Sequence, residues 1–216
     1  MLSPGGHANS YGLVSPFLNE VIRRRMKVVL MTASGVEHDD NIPLRKIELD
    51  VIRSGVPHVI LRPSWFMQNF NSYWYAGIQH QGLIALPAAD SKTTFIDARD
   101  IGAAAAVALE SNLYDGQAVA LTGPQALTYT EAASVLSKAG GRQIRYAAID
   151  DGAFRTALAS SGLPPDYADL LIALFGFVRM GAASEVTPAL AKLLGRAPRT
   201  LADYAQDHAR FFRADS

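Results

Sequence analysis

Trp65, Phe66, Phe70, Tyr73, Trp74 and Tyr75 crowd rings into one short stretch directly after Arg62-Pro63. The apolar run Pro57-His58-Val59-Ile60-Leu61 in front of that pair lacks alternation and reads as a strand buried on both faces. Arg62-Pro63 is expected to end it, because proline offers the ladder no N–H. Ligands of open α/β sheets sit at the carboxyl ends of strands. Rings at that place suit a flat aromatic substrate, and they suit core filling against a cap equally well.

Other chemistries find little support. His7, His38, His58, His80 and His208 show neither H-x-x-x-H nor H-E-x-x-H spacing, so no metal site is indicated. No G-x-S-x-G elbow surrounds Ser34, Ser54 or Ser161. The sequence has no cysteine, which excludes disulfides, thiolate catalysis and cysteine-ligated zinc; a cytoplasmic location is expected. Twenty basic and twenty acidic side chains cancel, which gives no electrostatic case for nucleic acid or an anionic membrane. Arg23-Arg24-Arg25 reads as the solvated end of a helix. Asp97, Asp100 and Glu110 read as helix caps and surface charge, with Asp97 alternatively holding the neighbouring strand end. The first residues lack the charged and apolar regions of a secretory signal. The longest apolar stretch, 170–178, is roughly half of a bilayer span, so a soluble protein is expected.

The elements that must position these residues alternate. Helical spacing covers 17–25, an apolar β-prone run covers 27–32, and Pro43 opens a helix that Gly55 stops. After the strand ending at Arg62-Pro63, Ser64 is expected to cap a helix through Phe66 and Phe70 towards Ile78. Short strands follow at 83–86 and 93–96, an Ala-rich helix at 100–109, and strands at 118–122 and 144–146. Thr128 and Glu131 form a T-x-x-E capping box. Helices are expected at 150–160, 165–180, 187–194 and 201–212. Strands separated by helices imply βαβ units: an α/β fold with a doubly wound parallel sheet and a small, mostly helical C-terminal cap. The expected division is 1–128 for an incomplete Rossmann-like domain and 129–216 for the helical substrate region, interleaved as one structural unit.

Residues 28–69 are more specific. They contain Val28-Val29-Leu30-Met31-Thr32-Ala33-Ser34-Gly35, then Leu44-Arg45-Lys46-Ile47-Glu48, then an S-G-x-x-x-x-x-L-R-P-x-x-F-x-x-N pattern from Ser54 to Asn69. With Phe95-Ile96-Asp97 and Leu121-Thr122-Gly123-Pro124, this resembles the NmrA-like branch of atypical short-chain dehydrogenases, including NAD(P)H:quinone and triphenylmethane reductases. The resemblance implies an NAD(P)H-dependent oxidoreductase acting on a quinone or another small aromatic, with NADP or NAD as cofactor. It implies catalytic roles for Ser34 and Lys46, cofactor contacts from Ser3, Pro4, Thr32, Ser34, Lys46, Pro63 and Phe66, and substrate contacts from Trp65, Asn69 and Tyr73. Lys46 is read either so or as an exposed helix residue, and Ser34 either so or as a plain turn residue. A second reading is a non-catalytic or redox-sensing regulatory module, as the family's regulators suggest.

Two departures stand out. Ile42 occupies the place, four residues before Lys46, where many short-chain dehydrogenases carry a Tyr. The glycines form neither G-x-G-x-x-G nor G-x-x-G-x-x-G, the turns that cradle a pyrophosphate. The resemblance places Ser3-Pro4 at the end of a fourth strand, so that roughly 70–80 preceding residues would be missing at ~30 per βα unit. The strand at 28–32 would then expose an edge, and a homo-oligomer that covers it is expected.

Overall fold

The computed structural model describes residues 9–214. In chain order its elements are α1 (Ser10–Arg23), β1 (Val28–Met31), α2 (Pro43–Ser54), β2 (His58–Pro63), β3 (Trp65–Phe66), α3 (Tyr75–Gln81), β4 (Leu83–Leu86) and β5 (Lys92–Ile96). There follow α4 (Ala98–Glu110), β6 (Gln117–Leu121), β7 (Ala126–Thr128), α5 (Tyr129–Gly140), β8 (Arg145–Ala148), α6 (Asp151–Ser160), α7 (Pro165–Arg179), α8 (Ala189–Leu194) and α9 (Leu201–Asp207). The fold is α/β, with parallel strands between helices and a helical stretch from α6 onward. These elements form two compact units, each drawn from separate stretches of chain. No helix is long and apolar enough to cross a membrane, among the described residues.

The first unit takes the chain through Ser64, with 99–121 and 187–197. Its sheet is parallel in the order β1-β2-β6, with Val28 opposite His58 and Val59 opposite Gln117. The apolar stripe of α2 buries Ile47 and Val51 against Leu30 and Ile60, with Val14 and Leu18 of α1 in the same cluster. The helical crossover through α2 and the parallel pairing of β1 with β2 make β1-α2-β2 one βαβ unit.

Two details differ from the expectation. Helix α1 begins at Ser10 rather than near Phe17, although Pro16 lies inside it. That proline removes one backbone bond, but Asn9 caps the helix by accepting from the Gly12 N–H at 3.0 Å, and Val14 and Leu18 are buried. Strand β2 also runs through Arg62 and Pro63 instead of ending before them, and Pro63 stands opposite Leu121. Pro63 lies beyond the last residue paired with β1, Leu61, so its missing N–H breaks no bond of that ladder.

The second unit comprises 65–98, 122–186 and the chain from Pro198. Strand β3 runs parallel to β5, β5 pairs antiparallel with β7, and β4 pairs parallel with β8. The helix expected from Ser64 towards Ile78 does not form. Trp65 and Phe66 instead pair with Phe95 and Ile96, a 3₁₀ turn covers Met67–Asn71, and α3 starts only at Tyr75. Asn69, Asn71 and Ser72 are residues whose side chains compete with helical bonding, and strand pairing overrides the helical spacing of the rings. The box at Thr128 and Glu131 caps α5 in both directions. The last expected helix is divided, with a 3₁₀ turn at Ala209–Phe211 after α9.

Gly123 shows how tightly this unit packs, since a Cβ there would stand 1.7 Å from the Phe95 carbonyl oxygen. Gly123→Ala is expected to cost about 1–3 kcal/mol through overpacking. Gly102→Ala, where a Cβ meets open space, should be neutral or mildly stabilising. Thermal melts of the two variants test this; equal melting temperatures would refute the tight contact.

Candidate active site

The apolar stripe of α2 carries one acid. Glu48 stands between Leu44, Ile47 and Val51 in helical spacing, and it is fully buried. A carboxylate without water needs strong donors, and three segments supply them. Thr32, just past β1, donates its hydroxyl at 2.6 Å. Arg62 of β2 donates Nε at 2.9 Å and Nη2 at 2.7 Å, the two-pronged geometry suited to a carboxylate. Arg45, on the preceding turn of α2, donates Nη1 at 2.8 Å. Burial alone pushes the Glu48 acid upward, but the hydrogen bonds from Arg62, Thr32 and Arg45 together outweigh it and hold the group below its ordinary range.

Ser34 hangs from the same strand ends. Its N–H donates to the Pro63 carbonyl at 3.0 Å and its hydroxyl donates to the Arg62 carbonyl at 3.0 Å. The hydroxyl hydrogen is therefore committed, and the exposed oxygen keeps its lone pairs. Gly35 follows at φ +90°, a left-handed turn with open space where a Cβ would stand. Lys46 is exposed on α2 and lines a surface groove of about 370 Å³ with Tyr11, Asp40, Leu49, Asp50 and Arg53. Ser34 and Lys46 share no hydrogen bond. The structure thus gathers Thr32, Ser34 and Pro63 at the carboxyl ends of β1 and β2, and sets Lys46 one helix face away from Glu48. Ser3 and Pro4 lie outside the described residues.

The residues read as substrate contacts belong to the second unit, with Phe66. Trp65 is half-buried, its ring 4.8 Å from Phe175 and 6.3 Å from Trp74. Phe66 is held opposite Ile96. Asn69 accepts the Trp74 N–H on its carbonyl, a turn contact. Tyr73 is 63% exposed and stands beside Tyr167 of α7. Burial, together with Tyr73, pushes the Tyr167 phenol up to about 12. Phe70 and Tyr129 are core rather than site: both are fully buried, and burial drives the Tyr129 phenol far above its ordinary value. Asp97 and Asp100 are fully buried too, so neither is surface charge. Asp97 accepts from Gln68 at 3.1 Å and Asp100 from Arg196 at 2.6 Å.

The sequence reading assigned no role to Glu48, Arg45 or Tyr167. A signal existed for Glu48, an acid inside an apolar stripe, whose burial demands a partner. Tyr167 carried no signal, because its neighbour Tyr73 is far away in sequence.

A family model described as NmrA-like matches residues 45–205. The chain belongs to the NmrA-like family. It is 33% identical over 213 residues to an uncharacterised oxidoreductase, YesF, of Bacillus subtilis, covering 98% of this chain and 74% of that protein. It is 35% identical to an NAD(P)H azoreductase of Xenophilus azovorans, covering 86% of this chain and 66% of the relative. Among solved structures, the NADPH complex of an Escherichia coli NADPH-dependent quinone oxidoreductase superposes with a TM-score of 0.80 at 24% identity, over 96% of this chain and 74% of that one. NmrA, a negative transcriptional regulator solved with NADP, shares the fold at a TM-score of 0.70 and 16% identity, over 92% and 69%. The chain thus spans about two-thirds to three-quarters of the length of these relatives.

The Glu48 cluster predicts an acid-sensitive fold. Its acid is depressed in the folded state from an ordinary value of 4.5, so its contribution is complete above that value and fades as pH falls through the lowered one. Urea unfolding of the wild type and Glu48→Gln should differ by a constant amount at neutral pH. The gap should narrow below about pH 4.5. Arg62→Met, which strands the acid, should cost about 3–5 kcal/mol at neutral pH; a loss near zero would show the acid to be hydrated.

Proposed function

We propose that this chain is part of an NAD(P)H-dependent reductase whose acceptor is a quinone or another small aromatic. The observation that carries the reading is Ser34, exposed and hung from the carbonyls of Arg62 and Pro63 at the carboxyl ends of β1 and β2. Membership of a family that includes NAD(P)H azoreductase and quinone oxidoreductase supports it.

The residues fit one end of a nicotinamide nucleotide. With its hydrogen given to Arg62, the Ser34 oxygen can accept from the N–H of a carboxamide. Gly35 leaves the approach open. Lys46, exposed and free of a hydrogen-bonding partner among the described residues, can supply a positive charge to a ribose or phosphate oxygen. Reduced nicotinamide supplies the hydride when bound. The chain's own share is to hold the acceptor. Trp65 and Tyr73 offer ring faces to a flat molecule, and Asn69 a polar edge. No residue need deliver a proton, since a reduced quinone takes its protons from water, and positioning is the main requirement. We also take the outer edge of β1 to pair with a second copy, a dimer that light scattering would reveal.

NADPH and NADH titrated into this chain by calorimetry are expected to bind, and turnover with a small quinone should follow. Ser34→Ala should weaken nucleotide binding by about 2- to 10-fold, a hydrogen bond's worth, and Lys46→Ala by about 2- to 5-fold, an exposed ion pair's worth. Binding of NADPH without reduction of any quinone would favour the redox-sensing reading, for which the NADP complex of the regulator NmrA is the precedent. No binding of either nucleotide would sink the reductase proposal for this chain.

A further inference from the structure

Glu48 is an unusual choice for the middle of an apolar stripe. Replacing a buried ion pair by packed apolar side chains is commonly neutral or stabilising, so stability alone gives no reason for an acid among Leu44, Ile47 and Val51. Its placement gives another reason. Every donor that satisfies it comes from the carboxyl ends of β1 and β2 or from the turn of α2 beside them. Two of those donors lead directly to Ser34. Arg62, gripped by its guanidinium, presents the carbonyl that accepts the Ser34 hydroxyl; Thr32, gripped by its hydroxyl, stands two residues before Ser34 in the chain.

Ser34 itself has little else to fix it. It lies beyond β1, the next residue takes a left-handed conformation at φ +90°, and its own bonds end on the Arg62 and Pro63 carbonyls. Pro63 restricts Arg62 to extended backbone, but it does not set where the Arg62 side chain goes. The buried carboxylate does so through two short bonds, with Glu37 a longer 3.5 Å contact on the remaining nitrogen. Pairing with Ala120 and Leu121 of β6 holds the backbone that carries both carbonyls, and the carboxylate ties the Arg62 and Thr32 side chains on either side of the Ser34 turn to one point.

We propose that Glu48 is a positioning residue of this site: through Arg62 and Thr32 it holds Ser34 in the orientation that receives a ligand's donor. The effect on hydride transfer rests on the reductase reading; the effect on the Ser34 turn does not.

Glu48→Gln, Ser34→Ala and the double variant test this in two ways. Hydrogen exchange of the full chain should be at least about ten-fold faster at the Thr32 and Ser34 amides, which donate to the Leu61 and Pro63 carbonyls, in Glu48→Gln, with little change in α5. Single-turnover reduction of menadione by NADPH should slow by about 10- to 100-fold, the scale of a small misplacement, while the NADPH dissociation constant moves much less. In the Ser34→Ala background the Glu48→Gln change should slow the step no more than about two-fold, since acids that act through a shared partner are non-additive with it. A merely structural acid would give multiplying effects on the rate and exchange raised throughout the first unit, and either result overturns the proposal. If wild type neither binds NADPH nor reduces the quinone, the reductase reading fails, and the exchange data alone decide whether Glu48 holds the turn. Should Glu48→Gln not fold, Thr32→Val removes one bond from the same carboxylate, and it should raise exchange at the Ser34 amide; no rise there would refute the proposal.

Discussion

A negative charge sealed from water organises the first unit. The Glu48 carboxylate must find its donors inside the protein, and it finds them on residues from three different segments. That requirement fixes the rotation of α2 about its axis, since Glu48 and Ile47 must both face the sheet. It fixes the extent of β2, because Arg62 reaches the acid only if the strand continues past Leu61. It also fixes the exit of β1 through Thr32. Hydrophobic burial of Ile47, Val51 and Ile60 supplies the bulk of the cohesion, without direction; the ion cluster supplies the direction.

The second unit is organised differently. Its core is a chain of rings, with Phe95 and Phe70 5.1 Å apart, Tyr129 5.4 Å from Phe95 and 5.6 Å from Trp74, and Phe154 5.3 Å from Phe175. Trp65 and Tyr73 stand at the margin of this assembly, partly or largely open to solvent. The exposed rings are thereby continuous with rings sealed in the core, and burial separates them residue by residue: Phe70 is core, Tyr73 is surface.

Much of this was legible before any coordinates. The strand–turn–helix–strand order around β1, α2 and β2 followed from unalternated apolar runs, Pro43 and Gly55, and the cap of α5 from Thr128 and Glu131. What escaped the sequence shares one cause, which is that long-range partners decided it. The helix expected after Ser64 yielded to strand pairing with Phe95 and Ile96, far along the chain. Pro63 stayed in its strand because its neighbour on one side had already ended. Asp97 and Asp100, which resemble surface caps, are buried beside Gln68 and Arg196. At the site, Ser34 and Thr32 were visible as a turn after a strand and Glu48 as a member of the family-like Leu44–Glu48 motif, but its bonds to Thr32 and Arg62 were not, because they join segments that only the fold brings together.

While the Ser34 hydroxyl gives its hydrogen to the Arg62 carbonyl, a group against its oxygen is favoured if it brings a hydrogen of its own. A primary amide or a protonated amine meets that condition. A carboxylate of the same shape does not, and would face lone pair against lone pair with a backbone carbonyl behind. A single main-chain acceptor thus biases a hydroxyl, ordinarily indifferent between the two, towards partners that bring a hydrogen.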